Sequence, residues 1–118
     1  MGMMEYLLNL VRSKSLTIAY PADVTLPERG IRGTPVLDPD RCDLSGACQS
    51  ACPTAAIRIE RESSGTGSWQ IDYGLCIFCG TCIQVCPQGA IVASDSFELA
   101  VRQRQAAVST HSLEALHV

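Results

Sequence analysis

The sequence predicts a small α+β fold in which one motif occurs twice about a pseudo-twofold axis, behind an N-terminal amphipathic helix and an extended arm. Three observations predict it. Cys76-Ile-Phe-Cys-Gly-Thr-Cys-Ile-Gln-Val-Cys-Pro87 sets cysteines at 76, 79, 82 and 86, with proline directly after the last. Thirty-four positions upstream, Cys42, Cys48, Cys52 and Pro53 align with Cys76, Cys82, Cys86 and Pro87. Leu37-Asp38 answers Ile71-Asp72 and Ala56-Ile57 answers Ala90-Ile91, so the repeat extends beyond the cysteines and marks an internal duplication. Finally, the segments around the motifs are short apolar and polar alternations bounded by turn residues, which suit strands tied together by a cross-link rather than by a broad sheet.

Taken in order, Met3, Met4, Leu7, Leu8 and Val11 fall on one side of a helix of about three turns, with Glu5, Asn9 and Arg12 opposite and Lys14 following. Such a helix either packs on its own domain or a partner, or lies at a membrane interface with its basic end at the headgroups. From Ser15 to Pro39, four prolines with Gly30 and Gly33 exclude a long helix and predict an extended arm laid on a surface, with a short strand at Thr17–Tyr20. Each cysteine motif then predicts a loop, a short helix ending at its Cys-Pro, and a strand. Ile57–Glu60 and Trp69–Ile71 read as a hairpin around Ser63–Ser68, and Val36-Leu37 and Ile91-Val92 as the matching short strands. Beyond Ser94, Phe97, Leu99, Ala100 and Val101 suit the start of a helix, and Ser112–Leu116 a last turn. His111 and His117 lack partner motifs and read as surface residues, while Trp69 and the tyrosines read as packing or interface residues before any redox role. The division expected is 1–35 for the helix and docking arm, 36–94 for the duplicated domain and 95–118 for a C-terminal extension.

A chain of 118 residues has little apolar core without help from a cross-link or metal. Seven cysteines supply that help. The N-terminal segment shows neither a basic leader nor a cleavage site, which favours free thiols in a reducing compartment over disulfides, and an odd count pairs poorly. A net charge of -3, no basic stripe and six aromatic residues exclude nucleic-acid binding. Every apolar stretch is interrupted before the roughly 18 residues of a membrane span.

The run C-x2-C-x2-C-x3-C-P is the two-cluster ferredoxin pattern, in which three thiolates hold one iron-sulfur cluster and the last cysteine reaches to a second. Soft thiolates suit that chemistry, and close spacing gathers them with little loss of chain entropy. Zinc is the competing metal, but zinc ribbons use two separated cysteine pairs, whereas here four cysteines fall within eleven residues and the Cys-Pro ending is duplicated. A ferredoxin-like fold around two iron-sulfur clusters follows. By the crossed ligation of the pattern, Cys76, Cys79, Cys82 and Cys52 hold a complete [4Fe-4S] cluster, and Cys42, Cys48 and Cys86 hold the other. The residue matching Cys79 is Ser45. The second cluster is then a [4Fe-4S] completed by Ser45, water or Asp43, or a [3Fe-4S], or is lost; Ser45 is better placed in sequence than Asp43. Gly46 and Ala47, and Gly80 and Thr81, let backbone N–H groups approach the cluster sulfides, and Ile77, Phe78 and Ile83 exclude water. No catalytic acid, base or nucleophile is apparent.

With these motifs, the flanks Thr17-Ile-Ala-Tyr-Pro21, Arg32-Gly-Thr-Pro35, Cys76-Ile-Phe-Cys79 and Phe97-Glu-Leu-Ala100 narrow the assignment. The chain resembles the two-cluster iron-sulfur subunit of complex I-like enzymes and, more closely, its relative in formate hydrogenlyase and other energy-converting nickel-iron hydrogenases. The resemblance implies a non-catalytic electron-transport subunit of a membrane-associated oxidoreductase complex, relaying single electrons between partner subunits. It implies peripheral membrane contact through the N-terminal helix, on the cytoplasmic side. Ser45 departs from the family ligand set. A free soluble ferredoxin and a structural metal-binding module are the rival readings; the amphipathic start and the arm weigh against a freely diffusing carrier.

Overall fold

The computed structural model describes residues 2–12, 17, 19–22 and 32–114. It divides into two units, Met1–Gly30 and Ile31–Val118.

In the first unit, helix α1 runs over Met3–Arg12 with Glu5 in its first turn and Arg12 in its last, the polarity that complements the helix dipole. The amides of Glu5 and Tyr6 bond to the Gly2 carbonyl and begin the helix. None of its residues is buried. Most of the expected arm lies outside the described residues, as does Lys14. Of the strand expected at Thr17–Tyr20, Ile18 is outside and Thr17, Ala19 and Tyr20 occupy bends, turns or irregular backbone instead.

The second unit contains two antiparallel sheets. Strands β1 (Pro35–Leu37) and β4 (Ile91–Ala93) form one, and β2 (Ile57–Arg61), β3 (Thr66–Asp72) and β5 (Val108–Glu114) form the other in the order β2-β3-β5. The duplication sets the pairing. Leu37 lies opposite Ile91 and Ile57 opposite Ile71, so the strand entering each motif pairs with the strand leaving the other. Asp38 N–H bonds to Ala90 O at 2.7 Å, and its repeat partner Asp72 N–H bonds to Ala56 O at 2.9 Å.

Between the strands lie helices α2 (Ala47–Ala51) and α3 (Thr81–Val85). Each starts after a left-handed glycine, Gly46 at φ 86° and Gly80 at φ 77°, and stops at a cysteine in extended conformation, Cys52 or Cys86. The stop is local: Pro53 and Pro87 push the residue before them out of the helical region. Trp69 and Ile71 are the largest fully buried side chains, and with Leu37, Ile57 and Ile91 they form a core against which both motifs pack.

The C-terminal expectations are corrected. Residues 96–101 are irregular rather than helical, and Phe97 is exposed. Ser112–Glu114 are not a helical turn but the end of β5, which pairs with β3 from Asp72↔Val108 to Thr66↔Glu114. The edge of β3 left open by β2 offers unpaired backbone groups, and that non-local gain overrides the local helix preference of Leu113-Glu114, while Ala115 and Leu116 lie outside the described residues. His111, expected at the surface, is half-buried with its ring centroid 6.0 Å from that of Trp69, tilted at 53°. His117 lies outside the described residues.

Candidate metal centres

Two cavities adjoin the core, and each is lined by cysteines of both motifs. The larger, about 350 Å³, is lined by Cys76, Cys79 and Cys82 with Cys52 of the other motif. The smaller, about 10 Å³, is lined by Cys42 and Cys48 with Cys86 of the other motif, and by Ser45 and Asp43. The crossing arises because Cys52 and Cys86 end their helices at the core, where the paired strands interleave the repeats.

Every residue lining the smaller cavity has its repeat partner on the larger. Gly46 answers Gly80, Pro87 answers Pro53, Leu37 answers Ile71 and Ile91 answers Ile57, each on its own cavity. Two positions break the symmetry in size: Trp69 and Ile59 in the smaller cavity stand where Pro35 and Ala93 stand in the larger. Bulk at those positions narrows the first site.

The loops form backbone cradles. Leu44 at φ 56° and Phe78 at φ 54° are left-handed at equivalent positions, as are the glycines that follow two residues later. A left-handed residue reverses the direction of neighbouring amides and forms a concave nest of N–H donors suited to anions. Phe78 N–H already bonds to Cys76 Sγ at 3.4 Å, Ala56 N–H to Cys52 Sγ at 3.3 Å and Ala90 N–H to Cys86 Sγ at 3.2 Å. Backbone donors aimed at cysteine sulfur, around soft anionic ligands, fit an iron-sulfur cluster. Among the described residues no three His, Cys, Asp or Glu side chains converge on one metal ion; the thiols are spread around a space.

The thiols differ in how readily they ionise. Burial pushes Cys82 up to about 11, with the neighbouring Cys76 adding to the rise. Burial likewise raises Cys42, Cys48 and Cys76, partly offset at Cys42 by the Leu44 amide and at Cys76 by the Phe78 amide. At Cys52 burial is outweighed by N–H groups from Ala56, Thr54 and Ile57 together with the Thr54 hydroxyl, so its thiol is lowered. Cys79 is lowered by the Thr81 hydroxyl and amide. Buried thiols that resist ionisation alone would be held as thiolates by a bound cation, and its binding would release their protons.

Ser45, exposed at the rim, donates its backbone N–H to Asp43 Oδ1 at 3.0 Å, and Gln88 Nε2 donates to Asp43 Oδ2 at 3.4 Å. The Ser45 amide and hydroxyl hold the Asp43 carboxyl below the usual range, along with Gln88. Both oxygen donors line the smaller cavity, Ser45 at the repeat position of Cys79 and Asp43 at that of Ile77. The apolar seal is looser than expected: Ile83 and Phe78 are half-buried, but Ile77 is 61% exposed at the mouth. Trp69 and Ile59 were not legible as site residues from cysteine spacing. The signal for Trp69 was its place in the repeat, opposite Pro35.

Residues 41–90 match the family described as 4Fe-4S dicluster domain. The chain is 30% identical over 101 residues to NADH-quinone oxidoreductase subunit I 2 of Geobacter metallireducens, covering 78% of this chain and 77% of the relative. The chain belongs to the family of NADH-quinone oxidoreductase subunit I. It is also 34% identical over 104 residues to formate hydrogenlyase subunit 6 of Escherichia coli, covering 87% of this chain and 58% of that protein. Among solved structures, one of the membrane-bound sulfane sulfur reductase, an archaeal respiratory membrane complex, contains a chain that matches with a TM-score of 0.64 at 30% identity, covering 89% of this chain and 57% of that one. Across curated subunit I relatives the chain spans 40% to 77% of their length. Membership in the subunit I family, with the dicluster match, supports two iron-sulfur clusters.

Proposed function

We propose that this chain is the iron-sulfur electron-relay subunit of a membrane-associated, complex I-like oxidoreductase, of the energy-converting hydrogenase or formate hydrogenlyase type, and is not itself catalytic. The observation that carries the reading is that both cysteine-lined cavities open onto one apolar core, each completed by a cysteine of the other repeat. Such clusters store and pass one electron each. Cys76, Cys79, Cys82 and Cys52 hold a [4Fe-4S] cluster. Cys42, Cys48 and Cys86 hold the other, either as a [4Fe-4S] with Ser45 as the non-cysteine ligand or as a [3Fe-4S].

The chain's own residues position and insulate these sites. The nests at Leu44 and Phe78 supply N–H donors, Pro53 and Pro87 aim the crossing cysteines, and the buried isoleucines keep water from the inner walls. Residues 1–35 act as the docking segment, 36–94 as the two-cluster domain and 95–118 as an extension. Helix α1, with no buried residue, rests its apolar face on the cytoplasmic side of the membrane or the adjoining membrane subunit. Among the described residues no helix is long and apolar enough to cross a membrane, which suits peripheral attachment.

Anaerobic purification from gently solubilised membranes tests the whole reading. Iron and acid-labile sulfide in two-cluster amounts, with redox subunits copurifying, are expected. Stoichiometric zinc without sulfide would establish a structural metal module, and an iron-loaded chain found alone in the soluble fraction would establish a free ferredoxin.

A further inference from the structure

Trp69 is the chain's single tryptophan, fully buried on the central strand β3, where Ile59 faces it across β2 and His111 across β5. The ring is held on both sides and lines the smaller cavity beside Cys48. Its indole Nε1–H is the one buried side-chain polar atom among the described residues without a hydrogen-bond partner. A buried indole N–H ordinarily finds an acceptor, and leaving one unmet is costly enough that an acceptor outside the protein's own oxygens is called for. Cys48 lines the same small cavity as the indole, and as its thiol lies the N–H has no hydrogen-bond partner. A thiolate is a far stronger acceptor than a thiol, so Cys48 held as a cluster ligand would offer the indole a charge-assisted hydrogen bond.

We infer that Trp69 is a positioning residue for the cluster held by Cys42, Cys48 and Cys86, donating its indole N–H to Cys48 Sγ and thereby raising that cluster's reduction potential relative to the other. This rests on the proposed cluster at those cysteines. The sign follows from charge. Reduction adds negative charge to the cluster and its thiolates, and a donor to sulfur stabilises that more negative state. The asymmetry follows from the repeat, because the position equivalent to Trp69 is Pro35 on the wall of the larger cavity, and proline has no N–H to give. The pair Trp69 and Pro35 therefore gives the first site a donor that the second lacks, which favours the electron on the first cluster.

The test uses full-length, anaerobically prepared holoprotein. Trp69→Phe keeps a ring and removes the donor. Iron and sulfide content and the spin signals of both clusters are measured first, followed by a reductive titration monitored by electron paramagnetic resonance. The expected result is an unchanged cluster content, a shift of the first cluster's midpoint to more negative potential, and no shift of the second. An unmoved first midpoint, or an equal shift of both, overturns the inference. If the variant does not fold, wild type grown with indole-15N-labelled tryptophan decides the matter, since one tryptophan makes the label unambiguous. A 15N hyperfine coupling to the paramagnetic state of the first cluster is expected, and its absence overturns the inference. Wild type lacking a first-cluster signal in every oxidation state, with iron and sulfide for one cluster only, would instead overturn the proposed cluster at Cys42, Cys48 and Cys86, and this inference with it.

Discussion

Asp72 Oδ2 lies 2.5 Å from Arg104 Nη2, with Asp72 Oδ1 2.6 Å from Arg104 Nη1, so a forked ion pair joins the end of β3 to the turn that leads into β5. The same Asp72 accepts the Cys76 amide through its carbonyl at 3.1 Å. The loop that carries the second motif and the C-terminal strand are therefore anchored at one residue. Arg104 holds the Asp72 carboxyl below the usual carboxylate range, slight burial opposing and the Gly74 amide helping. A depressed carboxyl contributes stability that is whole above its unfolded value, about 3.9, and is lost as pH falls through the lower folded value. Arg104→Ala should therefore speed amide exchange in β5 by an amount that is flat from neutrality down to about pH 5. High salt should shrink the difference, since the pair is solvent-accessible. A difference that changes steeply across that pH range would assign the effect to another group.

Crossed placement of the last cysteines has its own signature. Cys52→Ala should remove or convert the cluster of the second motif, and Cys86→Ala that of the first. Electron paramagnetic resonance of the two variants distinguishes the signals. Damage confined to the cluster of the mutated cysteine's own motif would contradict the shared cavities.

Ser45→Cys should convert the first cluster toward four-thiolate ligation and leave the second unchanged. Alkoxide is a harder donor than thiolate and a three-iron cluster lacks that corner, so spin signature and midpoint should both move. Identical first-cluster signals in wild type and variant would leave Asp43 or water as the completing group.

Ile71 is 1% exposed, lines the larger cavity and pairs with Ile57. Ile71→Ala should lower stability by about 2–5 kcal/mol. Denaturant unfolding measures the loss, and the second cluster should become more sensitive to oxygen than the first. Equal sensitivity of both would mean that the residue acts on the core alone.

Removing residues 1–12 should leave both cluster spectra intact while weakening retention on membranes, because α1 contributes no buried residue. Unchanged retention with a destabilised core would instead show that the helix serves its own domain.

Cysteine spacing and the thirty-four-residue repeat determined a great deal by themselves. The short helices, their stops at Cys52 and Cys86, and the four strands around the motifs follow from local chemistry: left-handed glycines, prolines that forbid the preceding helical turn, and period-two alternation. That Cys52 lines a cavity with the second motif and Cys86 one with the first was legible too, from the C-x2-C-x2-C-x3-C-P pattern, whose last cysteine reaches across. Tertiary structure alone decided three things. Residues 108–114 became a strand because the open edge of β3 supplies hydrogen bonds that no local propensity reveals. Asp72 and Arg104 met because that strand brings residues far apart in sequence together. Finally, Trp69 and Pro35 made the two sites unequal in size and in donors, since a side chain's effect on a site depends on which wall it reaches in three dimensions.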